Sequence, residues 1–220
     1  MQKNAVINSF IKTQRLTLSK SKSVVIHVGK PSKCKQPCPT LKVHNHTMTT
    51  VQSQRYLGDI ITATGSQRET VEDRRNSGWG KLSEITGILS ELPQVRKVEV
   101  GLKLREAKIV NGMIYSTEAW SSISDKELTR MEQVDLACLR SLVKGHSKCS
   151  VAFVTLEFGL LLLRHRIMIR RLMYHHHILS RNNEELIKKV YLRQKEDSLK
   201  GDWIRTLQGD FNFIGENLDD

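Results

Sequence analysis

Apolar residues follow two different rhythms along the chain, and the change falls near residue 65. Before it, Val6, Ile7, Phe10 and Ile11 recur at helical spacing, which predicts an amphipathic helix over 4–14. Leu16-Thr17-Leu18 leads through Ser19-Lys20-Ser21-Lys22 into Val24-Val25-Ile26-His27-Val28, a β-branched run that predicts a buried strand ending at Gly29. Pro31, Pro37 and Pro39 mark residues 30–47 as a loop or hairpin insertion. The stretch from Val51 to Ile61 then predicts a hairpin turning at Tyr56-Leu57-Gly58, where Gly58 permits a tight turn.

After residue 65 the rhythm is helical throughout. Ser66-x-x-Glu69 reads as a capping box, and Val71, Trp79, Leu82, Ile85, Leu89 and Leu92 keep one apolar side as far as Pro93. Gly78, Gly80 and Gly87 are weak points in that helix. A second helix is expected from Val95 to Trp120, with Val98, Leu102, Ile109, Met113 and Ile114 inward. Ser124-x-x-Glu127 caps a third, whose inward side is Leu128, Met131, Cys138, Leu139 and Leu142, with a stop at Gly145. These three stripes would bury one another as a bundle.

Beyond it, Val151–Phe158 is a short apolar segment closed by Gly159. A helix is expected from Leu160 to Ser180, with Leu161, Ile169, Leu172, Met173, His176 and Leu179 inward. Asn182 or Asn183 would cap a helix over Glu184–Glu196, and Trp203 and Phe211 open a last short segment. The expected fold class is α+β, mainly α, in three parts: residues 1–65, 66–148 and 149–220.

Charge sharpens this division. The chain carries a net charge of +12, and residues 1–58 hold ten Lys or Arg and no Asp or Glu. The remaining 162 residues are nearly balanced, with 25 basic and 23 acidic side chains. So concentrated a basic stretch attracts polyanions by counterion release, or forms a solvated arm. An apolar content of 39% suits a globular chain, and no run approaches the roughly 18 apolar residues of a membrane span. No apolar core of a secretory signal follows Met1, and Cys34, Cys38, Cys138 and Cys149 are too few for a disulfide framework. An intracellular setting, cytoplasm or nucleus, is expected.

Candidate metal ligands are few. Cys34, Cys38, His44 and His46 supply two thiolates and two imidazoles for a tetrahedral zinc site, at spacings unlike the usual ones and around a stiff Pro37. The alternative is free thiols and surface histidines in a lysine-rich loop. His175, His176 and His177 point about 100° apart on a helix and cannot share one ion. No Ser/His/Asp set, glycine-rich phosphate loop or nucleotide-binding fingerprint is present, so a small-molecule substrate is not expected.

The segment Arg15-Leu16-Thr17-Leu18-Ser19-Lys20-Ser21-Lys22-Ser23-Val24-Val25, followed about thirty residues later by Tyr56-Leu57-Gly58, resembles the end of the palm in reverse transcriptases of non-LTR retrotransposons. The stretch from Arg68 to Lys81 is similar to the start of the thumb in those elements, and Asp202-Trp203 with Asp210 resembles the region that follows it. The resemblance spans most of residues 4–215. It implies a small antiparallel palm hairpin followed by a thumb-like bundle and basic post-thumb helices.

It also implies roles. Lys22, with Lys20 beside it, would lie near the phosphates of an incoming nucleotide. Tyr56, Leu57 and Gly58 would close on the primer backbone, and Arg74, Arg75 and Lys81 would face the backbone of an RNA template and DNA primer. The alternative for the last three is pairing with Glu and Asp on a solvated helix face. The basic flank of the helix from Leu160, with Arg164, Arg166, Arg170 and Arg171, is a secondary candidate contact.

The polymerase reaction in that family depends on palm carboxylates that hold two divalent ions, magnesium in the intact enzyme. Here no Asp or Glu precedes Asp59. The expectation is therefore a catalytically incompetent fragment of a retroelement polymerase that starts at an internal methionine. It would bind no cofactor and would retain some template–primer binding. The alternatives are a helical protein-interaction module and a small zinc-assisted nucleic-acid binder.

Overall fold

The structure, a computed structural model, describes residues 13–14, 19, 23–28, 42–43, 46–121, 123–144, 148–197 and 203–218. It divides into two compact units, Met1–Glu69 and Thr70–Asp220. The expected class holds: the chain is α+β and mainly α.

The described strands of the first unit form three two-stranded sheets. Strand β1 (Val24–Val25) runs parallel to β4 (Thr49–Thr50), and β2 (Lys42–Val43) lies antiparallel to β3 (His46–Thr47). Strands β5 (Ser53–Tyr56) and β6 (Asp59–Thr62) make the expected hairpin, with Tyr56 opposite Asp59 and only Leu57-Gly58 between them. Both loop residues have positive φ, +48° and +90°, the signature of a type I′ turn whose twist matches that of the strands. Gly58 takes its angle without strain, whereas Leu57 is held there by the hairpin.

The strand expected over residues 24–28 is shorter and wetter than its β-branched run implies. Only Val24–Val25 pair, they are half-buried, and Val28 is exposed. One neighbouring strand satisfies one edge of a ladder, so pairing lapses where Thr50 ends.

The second unit begins as a three-helix bundle. Helix α1 (Arg68–Ser90) turns Val71, Leu82, Ile85 and Leu89 inward. At its start the Ser66 hydroxyl accepts the Arg68 amide at 3.2 Å. Helix α2 (Gln94–Leu104) continues through a wider π-helical segment (Arg105–Val110) and a closing turn (Asn111–Met113). Helix α3 (Asp125–Leu142) starts at the expected capping box: Ser124 Oγ accepts the Glu127 amide, and the Glu127 carboxylate accepts the Ser124 amide at 3.0 Å. Ile109, Val110, Met113, Met131, Val134 and Cys138 complete the core.

Three expectations need correction here. Trp79 is exposed rather than inward; Arg74, Gly78 and Leu82, four residues apart, hold the buried face instead. Gly78 is a contact and not a weak point, since a Cβ there would sit 3.1 Å from Val134 and 3.3 Å from Met113. Finally, the second helix stops at Met113 rather than Trp120. Ser116 adopts φ +60°, a 3-10 turn covers Thr117–Ala119, and the break lets Trp120 drop into the core.

The later helices are α4 (Val151–Phe158), α5 (Leu163–Leu179), α6 (Leu186–Asp197) and α7 (Trp203–Ile214). Ser150 caps α4, Gly159 ends it at φ +60°, and Asn182 accepts the Glu184 amide ahead of α6. Leu163 and Ile167 of α5 enter the core of the bundle, so residues 70–148 and 149–220 share packing across residue 148. The far half of α5 joins α6 and α7 around Ile178, Tyr191, Trp203, Ile204 and Leu207.

The inward face of α5 is a further correction. Leu163, Ile167, Arg171, His175 and Ile178 are buried, while Leu161, Ile169, Met173, His176 and Leu179 are exposed. Apolar residues lie all round this helix, so their spacing does not select a side. The ion pairs described next do.

Candidate nucleic-acid interface

The basic residues of α5 are the strongest electrostatic feature of the second unit, and each is already engaged. Arg164 forks onto Glu132 of α3, with Nε to Oε1 at 2.9 Å and Nη2 to Oε2 at 2.8 Å. The same carboxylate accepts the Arg164 amide at 3.1 Å, so Glu132 caps a helix whose own N-cap, Leu162, offers no acceptor. Arg166 forks onto Glu106 at 2.7 and 2.5 Å, and Arg170 onto Glu118 at 3.0 and 3.2 Å. Arg171, almost fully buried, meets Asp210 of α7 at 2.5 Å.

These contacts leave their mark on proton affinity. The hydrogen bond from Arg166 holds the Glu106 carboxyl below its ordinary range, and Glu132 raises the affinity of Arg164 for its proton. Burial pushes Asp210 up, opposed by Arg171. The four arginines thus clamp α5 to four other parts of the fold: α3, the π-helical segment, the 3-10 turn and α7. They do not form the open secondary nucleic-acid contact expected from the basic flank.

Arg74 is also turned away from any phosphate backbone. It is buried, donates to the carbonyls of Met113 and Tyr115, and lies 4.7 Å from the centre of the Trp120 ring. Arg75 is partly exposed and pairs with Glu72 at 3.0 Å, while its Nε is buried without a hydrogen-bond partner among the described residues. Lys81 is half-buried, with its ammonium beside Gly112. Of the three basic residues expected on one face of α1, the fold keeps Arg75 and Lys81 near the surface and spends Arg74 on the core.

In the first unit, Tyr56 and Leu57 stand at the tip of the hairpin with 62% and 73% of their surfaces exposed. A bulky apolar residue held at positive φ and left in water is unusual for a turn whose only task is to reverse the chain. Gly58 completes the tip. Lys20, Lys22, Cys34, Cys38 and His44 lie outside the described residues, and of His46 only the backbone in β3 is described. Among the described residues no cluster of His, Cys, Asp or Glu could hold a metal ion. No helix of the described residues is long and apolar enough to cross a membrane.

The three histidines separate as their spacing requires, but the inward one is His175 rather than His176. It shares a hydrogen bond with the Tyr191 hydroxyl at 3.1 Å and packs against Trp203 and Phe211, while His176 and His177 are exposed. Cys138 is buried, and burial together with Asp135 pushes its thiol up to about 12. It is therefore a core residue and not a nucleophile.

The sequence reading missed the fork between Arg105 and Asp135, in which both side chains are buried. Arg105 is one of several charged residues in its helix, beside Lys103, Glu106 and Lys108, so its letter alone does not mark it as buried. No family model, curated protein or solved structure matches the chain.

Proposed function

We propose that the chain is the part of a non-LTR retrotransposon reverse transcriptase that follows the catalytic aspartates, and that it grips a template–primer duplex without polymerising. The observation that carries this is the two-residue hairpin: Tyr56 and Leu57 are presented to solvent on a tight turn, a few residues before a helical bundle begins at Arg68. A rigid apolar tip of that kind suits contact with the sugar–phosphate edge and terminal base of a primer. The basic excess of residues 1–58 would supply the electrostatic part of the affinity. Arg75 and Lys81 are the contacts proposed on the second unit; Arg74 is not among them. The polymerase carboxylates have no counterpart before Asp59, so the proposed role is binding.

The test is affinity for a primed RNA–DNA hybrid across a salt series. A steep fall with salt, and a loss of about tenfold in Tyr56→Ala Leu57→Ala at constant salt, are expected. Salt-insensitive or absent binding would overturn the proposal, as would nucleotide incorporation by the isolated chain.

A second reading, a helical module for another protein, draws on α4. That helix buries Val154 and leaves Phe153 and Leu156 in water, at 53% and 79% exposure. It predicts no affinity for the hybrid at any salt concentration.

A further inference from the structure

A cavity of about 250 Å³ opens where α1 ends, α2 begins and α3 ends. Leu89 and Leu142 contribute its apolar lining, and Gln94, Lys97 and Lys144 its polar donors. Among the described residues no carboxylate lines it. Thr86, Ser90 and Ser141 also border it, but each hydroxyl already donates to a backbone carbonyl of its own helix. The donors left to a guest are therefore two ammonium groups and an amide.

Several basic side chains of the second unit are matched to a carboxylate: Lys103 to Glu99, Lys108 to Glu84, Lys189 to Glu184, Arg193 to Glu196, and the four arginines of α5. Lys97 and Lys144 have no such partner among the described residues, and they border one cavity.

The local backbone brings partial charges of both signs, so the full positive charge comes from the lysines. Helix α2 begins at Gln94 behind Pro93, with no side chain capping its first amides, so the positive end of its dipole lies at the cavity. At the carbonyl ends of α1 and α3, Leu89 O accepts the Leu92 amide and Ser141 O the Lys144 amide, so neither carbonyl is left open toward a guest.

From this arrangement we infer that the cavity is a binding site for a small organic anion, a compact apolar body ended by a carboxylate or a phosphate. The apolar part covers Leu89 and Leu142, and the charged end lies between Lys97 and Lys144. The site is independent of the proposed duplex grip and uses none of its residues.

The probes are 4-phenylbutyrate, phenethyl phosphate and the neutral 4-phenylbutyramide. Each is titrated into the full ¹⁵N-labelled chain while the amide signals of Gln94 and Lys144 are followed. Saturable shifts with one or both anions, absent with the amide, are expected, and whichever anion binds more tightly names the terminal group. Lys97→Gln Lys144→Gln, two exchanges at partly or fully exposed positions, should weaken that binding about tenfold. No saturable shift with either anion, equal binding of the amide, or undiminished affinity in the double variant would overturn the inference. Hybrid binding in the same variant should be unchanged, so this site and the duplex grip fail separately.

Discussion

Arg105 and Asp135 face each other as a closed fork in the middle of the bundle, with Nε to Oδ1 at 2.6 Å and Nη2 to Oδ2 at 2.7 Å. The arginine opens the π-helical stretch of α2, and the aspartate lies one turn before Cys138 on α3. With both charges out of water, their value depends on each other. Asp135→Ala should lower the unfolding free energy by about 3–5 kcal/mol, because a buried guanidinium loses its forked partner and keeps only Glu106, 3.8 Å from Nη1. Arg105→Met Asp135→Leu, which fills the space with apolar atoms, should recover most of that loss. Urea melts of the three proteins decide it; equal losses in the single and double variants would contradict this coupling.

Arg74 and Arg75 are neighbours in sequence with opposite roles, and substitution separates them. Arg74→Ala removes two carbonyl partners and the contact with Trp120, so a loss of about 2–4 kcal/mol is expected. Arg75→Ala breaks a half-exposed pair with Glu72 and should change stability by less than about 1 kcal/mol. Comparable thermal shifts in the two variants would refute the assignment of Arg74 to the core.

Two helical glycines should respond in opposite directions. A Cβ on Gly80 meets open space, so Gly80→Ala should stabilise the chain by about 0.5–1 kcal/mol through helix propensity. A Cβ on Gly101 runs into the buried Leu142 side chain where α2 crosses α3, and Gly101→Ala should cost about 1–3 kcal/mol. Denaturation midpoints of the two variants on opposite sides of the parent would bear this out; a stabilising Gly101→Ala would show that Leu142 has room to move.

Acid should loosen the packing of α5, α6 and α7 through His175. Burial first, then the charges of Lys188, Lys195 and His176, hold its imidazole below the ordinary 6.5, so the unfolded chain binds the proton more readily. Its contribution is fully present above about pH 6.5 and is lost as the pH falls below that value. Asp210 acts in reverse: burial raises its carboxyl above 3.8, and that group favours the native state slightly as the pH falls toward 3.8. Stability measured from pH 7 to 5 should fall in the parent and fall less in His175→Phe. Parallel slopes would exclude His175 as the cause.

Much of the fold is legible in the sequence because local physics writes it there. Gly58 in a Tyr-Leu-Gly-Asp turn, the Ser124–Glu127 box and the glycine after Phe158 set a hairpin, a helix start and a helix stop with no help from distant residues. The stripes of α1 and α3 are legible for the same reason, since Leu82, Ile85 and Leu89, or Met131, Cys138 and Leu142, recur on one face.

What escapes the sequence are the places where a charged or small residue takes a core position. Trp79 is the most apolar letter in its turn, yet Arg74 and Gly78 hold the buried face, because Trp120 and Val134 arrive there from elsewhere in the chain. The inward face of α5 escapes the sequence on the same ground. Arg171 is invisible as a core residue, and Arg164, Arg166 and Arg170 as clamps at its edge, until Asp210, Glu132, Glu106 and Glu118 are brought to them.

By itself, then, the sequence determined element types, caps and turns, the mainly helical class and the basic first third, all properties of neighbours within about four residues. Tertiary structure alone decided which cations are neutralised by distant carboxylates and which, like Lys97 and Lys144, stand without one among the described residues. Ion pairing depends on the distance between side chains, and residues 32 to 60 apart in the chain acquire that distance only by folding.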